Sequence, residues 1–206
     1  MSLRHTILGF LSLKPLTGYD LKKYFDASVR HFWSADQAQI YRALAQLSED
    51  GLVQVRVIEQ DGRPDRKEHH ITDAGRIELD GWLRAPVERH APREPFLARV
   101  FFAGRLPAAE TAAIVDARIA AAEEQLGVLC AIAAQSTAVL DDVPPAADRL
   151  LAAATLENGI RHVAAELDWL RDLRNDLDDL PAAPARMRLR LDSVIQNQQR
   201  YRGEQL

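Results

Sequence analysis

Between Leu3 and Leu83 the apolar residues change their period twice, and this double change restricts the fold more than any other feature of the 206-residue chain. Leu3, Ile7, Phe10 and Leu11 stand at helical spacing and predict a first helix over Leu3–Leu13. Lys14-Pro15-Leu16 ends it, because proline cannot continue a helix. Thr17-Gly18 opens a second helix from Tyr19 to Ala27, with Thr17 as its cap and Leu21, Tyr24 and Phe25 as its inner stripe. Ser34-Ala35-Asp36-Gln37 reads as a capping box for a third helix, in which the Ser34 hydroxyl meets the Gln37 amide and the Gln37 side chain reaches back. Ile40, Tyr41, Leu44 and Leu47 form its buried stripe, and Gly51 stops it. The period then becomes two: Val53, Val55 and Val57 alternate with Gln54, Arg56 and Ile58, the pattern of a half-buried strand. Asp61-Gly62-Arg63-Pro64 is a turn by composition, and Lys67 to Ile71 is its return strand. Thr72-Asp73-Ala74-Gly75 caps a fourth helix bearing Ile77, Leu79, Trp82 and Leu83. Three helices, a hairpin and a closing helix in this order make a winged helix-turn-helix.

Beyond Pro86 the pattern is helical. Arg89 to Pro95 reads as a linker, and Phe96 to Phe102 as a short apolar helix. Ala108 to Ala138 is a long alanine-rich helix, Asp141 to Pro145 a break, and Ala146 to Leu180 a second long helix. In the latter, Leu156, Ile160, Val163, Leu167 and Leu170 recur at spacings of 4, 3, 4 and 3, a coiled-coil-like seam that continues at Leu177. Residues 181–185 are rich in Pro and Ala, and Arg186 to Gln199 reads as a last, basic amphipathic helix in a tail, 181–206, whose role the pattern leaves open. The fold class expected is mostly α with a small β-hairpin wing: a winged helix-turn-helix over 1–86, then a helical dimerisation domain over 87–206.

Several functions find no support in the sequence. It contains no Cys/His cluster, Gly-rich phosphate loop or Gly-x-Ser-x-Gly elbow, so neither an enzyme nor a metal or cofactor is expected. His69 and His70 are neighbours on a strand, point to opposite faces and cannot chelate one metal. Glu123-Glu124 and Asp141-Asp142 do not share a helix face, as a catalytic pair must. Cys130 is the only cysteine, which fits a reducing, cytoplasmic location, and its small apolar neighbours mark it as a buried hydrophobe. No apolar run reaches the ~18 residues of a membrane span, and the start does not read as a signal peptide.

Two elements suit nucleic acid. The outer face of the third helix shows Ala35, Gln39, Arg42 and Gln46; Gln suits adenine, and Arg suits guanine or phosphate. Alone, such a face is usually just a solvated surface. The hairpin tip gathers Arg63, Arg66 and Lys67 where a wing meets the DNA backbone, diluted by Asp61, Asp65 and Glu68. Charge argues the other way: the net charge is −4, and residues 1–90 hold 13 basic and 13 acidic side chains. Affinity must then come from a local patch and from dimerisation. Tyr19 and Trp33 read as core aromatics, and Tyr41 reads either as core or as a phosphate contact. The alternative is a winged-helix protein-interaction module without DNA binding, whose heptad seam sets its oligomeric state.

The chain resembles the PadR family of transcriptional regulators, named for phenolic-acid-responsive repressors. The resemblance is carried by Thr17-Gly18-Tyr19-Asp20-Leu21, Phe32-Trp33, Gln39-Ile40-Tyr41-Arg42-Ala43-Leu44, Leu47 and Asp50-Gly51-Leu52-Val53. It continues through Asp61-Gly62-Arg63-Pro64-Asp65-Arg66-Lys67 to Ile71-Thr72-Asp73-Ala74-Gly75. The rest is similar in character to the C-terminal dimerisation domain of virulence-activator-like members. The resemblance implies a cytoplasmic homodimer with interlocked C-terminal helices that binds double-stranded DNA, most often as a repressor. It implies a recognition helix over Ser34–Glu49 and DNA-binding residues Ser34, Gln37, Gln39, Tyr41, Arg42, Arg63, Arg66 and Lys67. A small hydrophobic or phenolic effector is also implied, for which Phe96, Phe101, Phe102, Trp33 and Trp82 are candidate lining residues. One position departs from the pattern: the family's usual Tyr three residues before Thr72 is His69, which is expected to alter the packing of the wing.

Overall fold

A computed structural model describes residues 3–29, 32–33, 35–59, 65–87, 93–139 and 146–203. Ser34, the Asp61–Pro64 turn with Arg63, residues 89–92 of the linker and the Asp141–Pro145 break lie outside the described residues. The chain divides into two units, Met1–Ala91 and Pro92–Leu206.

The first unit contains α1 (Leu3–Leu13), β1 (Leu16–Thr17), α2 (Gly18–Ser28), α3 (Gln37–Glu49), β2 (Val53–Ile58), β3 (Arg66–Ile71) and α4 (Asp73–Arg84). Its core is Ile7, Leu8 and Leu11 of α1, Leu21 and Phe25 of α2, and Ile40, Leu44 and Leu47 of α3, with Leu16, Val53 and Leu79 around them. Each such side chain, once buried, contributes about 1.5–3 kcal/mol. Two glycines shape the corner after α3. Gly51 takes φ +71°, and the Leu52 amide bonds the Leu47 carbonyl at 2.9 Å while the Gly51 amide bonds Ser48 at 3.1 Å. These paired bonds close α3 in a Schellman cap. Gly75 lies so near this corner that a Cβ would sit 2.3 Å from the Leu52 carbonyl oxygen.

The strands are ordered β1-β3-β2, all antiparallel. The two-residue β1 escaped the sequence reading because its strand character comes entirely from pairing with β3. The half-buried strand expected at Val53–Ile58 is corrected: only Val53 is buried, while Val55 and Val57 are 39% and 56% exposed, because the hairpin runs off the helical core.

The second unit holds α5 (Pro95–Phe102), a 3₁₀ turn (Ala103–Arg105), α6 (Ala108–Val139), α7 (Ala146–Asp178) and α8 (Ala183–Gly203). Val115, Ala122 and Leu129 of α6, seven residues apart, pack against Val163, Leu167 and Leu170 of α7. Asp116 meets Arg174 near one end, and Cys130 lies beside Ala164 farther along, so the helices run antiparallel. The seam of α7 therefore pairs with α6 of its own chain. Arg118–Glu166 and Arg171–Glu123 flank it. Cys130 is exposed, which corrects the buried reading: it lies one residue past Leu129 and so turns off the packed stripe. Phe96 meets Trp169 edge-on at 6.3 Å, whereas Phe101 and Phe102 are exposed. Arg186 and Arg190 fasten α8 to the buried Asp176, and Leu189, Leu191, Val194 and Ile195 remain exposed. No described helix is long and apolar enough to cross a membrane.

Candidate nucleic-acid interface

Four residues, Thr17 to Asp20, tie the third helix and the hairpin together. Thr17 pairs with Glu68 of β3 through the backbone and also caps α2, its hydroxyl accepting from the Asp20 amide at 3.0 Å. Gly18 takes the ring of Tyr41: a Cβ there would lie 2.6 Å from Tyr41 Cε1 and 2.8 Å from Cζ. Asp20 Oδ2 accepts from the Thr17 hydroxyl at 2.8 Å and from Arg66 Nη2 at 3.3 Å. Tyr41 of α3 and Arg66 of β3 thus meet one short segment at the start of α2.

Tyr19, in the middle of that segment, is 69% exposed, so its reading as a core aromatic is corrected. The signal was present in the sequence: two residues before Leu21 on a helix is about 200° around the axis, away from the core. Tyr24, expected in the inner stripe, is 38% exposed, and its hydroxyl bonds Lys14. Tyr41 likewise leaves the buried stripe of α3 and is 45% exposed, its ring held against Gly18. Trp33 packs against the core as expected, and Trp82 stacks on His5 at 5.0 Å.

The start of α3 differs from the expectation. Asp36, not Ser34, is the cap: the Gln39 amide donates to Asp36 Oδ1 at 2.7 Å, and the Asp36 amide donates to Gln39 Oε1 at 2.9 Å. A carboxylate accepts from an amide more strongly than a hydroxyl does, so the box forms two residues later and the helix runs Gln37–Glu49. Gln37, Gln39 and Arg42 are exposed along α3. The capping bond occupies one lone pair of the Gln39 amide oxygen and leaves the other, with the amide N–H donors, for an outside partner. At the other end, Asp50 takes bonds from Gln46 and Arg4, which hold its carboxyl below the usual range.

In the hairpin, alternation separates the basic residues. Register places Arg56 opposite Glu68 and Ile58 opposite Arg66, so Gln54, Arg56, Arg66, Glu68 and His70 share one face. Val55, Val57, Lys67 and His69 share the other. Arg66 and Lys67 therefore do not form the single cluster expected at the tip. Arg66 is held between Asp20 and Glu68 Oε1, the latter at 3.2 Å. His69, opposite Leu16 on one side and Val55 on the other, sits mid-sheet. Burial pushes its imidazole below 6.5, against a smaller opposing effect of a backbone hydrogen bond to Leu16. Among the described residues no group of three or more His, Cys, Asp or Glu is arranged to hold a metal.

Comparison with known proteins agrees with this fold. The family described as Transcriptional regulator PadR-like family matches residues 7–81, and the one described as Virulence activator alpha C-term matches residues 92–178. A probable transcriptional regulator of Mycobacterium tuberculosis is 39% identical over 92 residues, 45% of this chain and 49% of that one. The negative transcriptional regulator PadR of Bacillus subtilis is 34% identical over 105 residues, 48% and 56% of the two chains. The chain spans about half the length of these curated relatives. Among solved structures, Bacillus subtilis PadR in complex with operator DNA shares the fold with TM-score 0.72 at 24% identity, covering 85% of this chain and 98% of that one. The same protein has been solved with p-coumaric acid. The Vibrio cholerae virulence activator AphA matches with TM-score 0.70 at 27% identity, covering 87% and 99%.

Proposed function

We propose that the chain, which matches the PadR-like family of transcriptional regulators over residues 7–81 and the virulence-activator C-terminal family over residues 92–178, is a dimeric, sequence-specific DNA-binding regulator. The observation that carries the reading is the Thr17–Asp20 segment, which couples α3 through Tyr41 to the hairpin through Arg66. A recognition helix and a wing can track one duplex only if they move as one body.

In this reading residues 1–86 bind DNA and 87–206 dimerise. Gln37, Gln39 and Arg42 of α3 enter the major groove, and the Tyr41 hydroxyl and the wing contact phosphates. Ser34, Arg63 and Lys67 belong to the same proposed footprint. Each cation that meets a phosphate releases counterions, so a unit of balanced charge gains affinity mainly from a second copy. The exposed Leu189, Leu191, Val194 and Ile195 of α8 support pairing of two chains. The Bacillus subtilis relative named as a negative regulator supports repression, and its structure with p-coumaric acid supports a small phenolic effector.

Selection of a bound duplex from a random pool at fixed salt tests the proposal. The expected result is an inverted repeat with half-sites about one or two helical turns apart, together with release by p-coumaric acid in a gel-shift titration. Recovery of unenriched pools, or a chain that sediments as a monomer at micromolar concentration, overturns it.

A further inference from the structure

The described part of the wing carries two arginines on one sheet face, in opposite electrostatic states. Arg66 lies within 3.3 Å of Asp20 and 3.2 Å of Glu68. One guanidinium between two carboxylates leaves a net negative group, which repels a phosphate. Arg56 stands across the ladder from Glu68. Glu68 Oε1 is taken by Arg66, and Oε2 faces His70 Nε2 at 3.5 Å. Arg56 is exposed and has no ion-pair partner among the described residues.

We propose that Arg56 is a phosphate-binding cation of the wing, and that Arg66 is a positioning residue through which Asp20 sets the hairpin against α2. This rests on the DNA-binding reading above. Position supports the first half. Arg56 shares the face from which Arg66 reaches α2, and α2 at that point abuts Tyr41 of α3. Chemistry supports the second half. A cation already neutralised inside the protein has no counterion to release, so its removal changes affinity through geometry and not through the salt dependence. Arg56 has its full charge to offer, and Gln54 beside it adds an uncharged donor.

The full-length chain is titrated with its selected operator duplex by fluorescence anisotropy across KCl concentrations. For Arg56→Gln, weaker binding and a salt slope lower by about one are expected, while Arg56→Lys restores the slope. Arg66→Gln and Asp20→Asn are each expected to weaken binding with the slope unchanged. In the DNA-free protein these two variants also lose amide-exchange protection across β3, which Arg56→Gln keeps. A slope that falls for Arg66→Gln and not for Arg56→Gln overturns the assignment, as does tighter binding by Asp20→Asn, the mark of a restrained phosphate contact. If the unaltered chain binds no duplex at any salt, the DNA-binding reading itself fails, and this assignment with it.

Discussion

The ring of Tyr41 lies against the bare backbone of Gly18, so close that a Cβ at residue 18 would stand 2.6 Å from Tyr41 Cε1. The contact joins the first residue of α2 to the exposed flank of α3, and it explains why glycine precedes Tyr19 there. Gly18→Ala must either swing the ring out or part the two helices. Overpacking in a core costs about 1–3 kcal/mol, and a half-exposed ring that can turn aside places this change at the low end. The expected outcome is a lower urea midpoint for Gly18→Ala and partial recovery in Gly18→Ala/Tyr41→Ala. Strictly additive losses in that double-mutant cycle contradict the contact.

The capping box at Asp36 and Gln39 makes Asp36 the residue on which the start of α3 depends. Asp36→Ala should cost about 1 kcal/mol in chemical denaturation. Gln39→Ala should cost less, because it removes only the returning arm. A greater loss from Ser34→Ala than from Asp36→Ala returns the cap to Ser34.

Gly75 and Gly51 are required for different reasons, and substitution separates them. At Gly75 a Cβ meets the Leu52 carbonyl oxygen at 2.3 Å, and a backbone atom cannot rotate away. Gly75→Ala should therefore lie at the top of the overpacking range, about 3 kcal/mol. At Gly51 nothing lies near the new methyl, and only φ +71° resists it. Gly51→Ala should cost about 1–2 kcal/mol, the left-handed penalty. Thermal melts of the two variants check the order.

His69 links wing stability to pH. Its imidazole is pushed below 6.5 in the fold, chiefly by burial, so the unfolded chain takes up a proton before the folded one does. Stability associated with the neutral ring is present above pH 6.5 and is lost as pH falls through the lowered value. His69→Tyr, which supplies the residue usual in the family, should flatten melting temperature against pH as the pH falls below 6.5. An unchanged pH profile contradicts the buried, neutral histidine.

Asp176 anchors α8. The guanidinium of Arg190, and after it that of Arg186, holds its carboxyl below 3.8, so the anchor persists through mild acid and is lost only on protonation at lower pH. Asp176→Asn should raise amide exchange along Ala183–Gly203 while α6 and α7 keep their protection. Equal loosening of all three helices assigns Asp176 to the core of the hairpin instead.

The alternation of periods, the Thr17 and Thr72 caps, the Gly51 stop and the long helices were all legible in the chain, because each depends on residues within a turn or two of one another. So was the likeness to the PadR-like family, carried by short runs such as Thr17–Leu21. The states of single side chains were not. Tyr24 and Tyr41 look alike as apolar letters at helical spacing, yet both are partly exposed. Their exposure depends on where the neighbouring helix passes, which no local pattern encodes.

Short-range chemistry decided which helices and which hairpin form and where the helices stop. Tertiary structure decided how their charges and edges are used. A two-residue β1 is a strand only because β3 lies beside it, and a heptad seam that suits any partner is occupied by α6. Arg66 acquires its partner on α2 only when α2 and the hairpin meet, since Asp20 and Arg66 stand 46 residues apart. Hydrophobic period is a property of neighbours in sequence, while pairing of a charge is a property of neighbours in space.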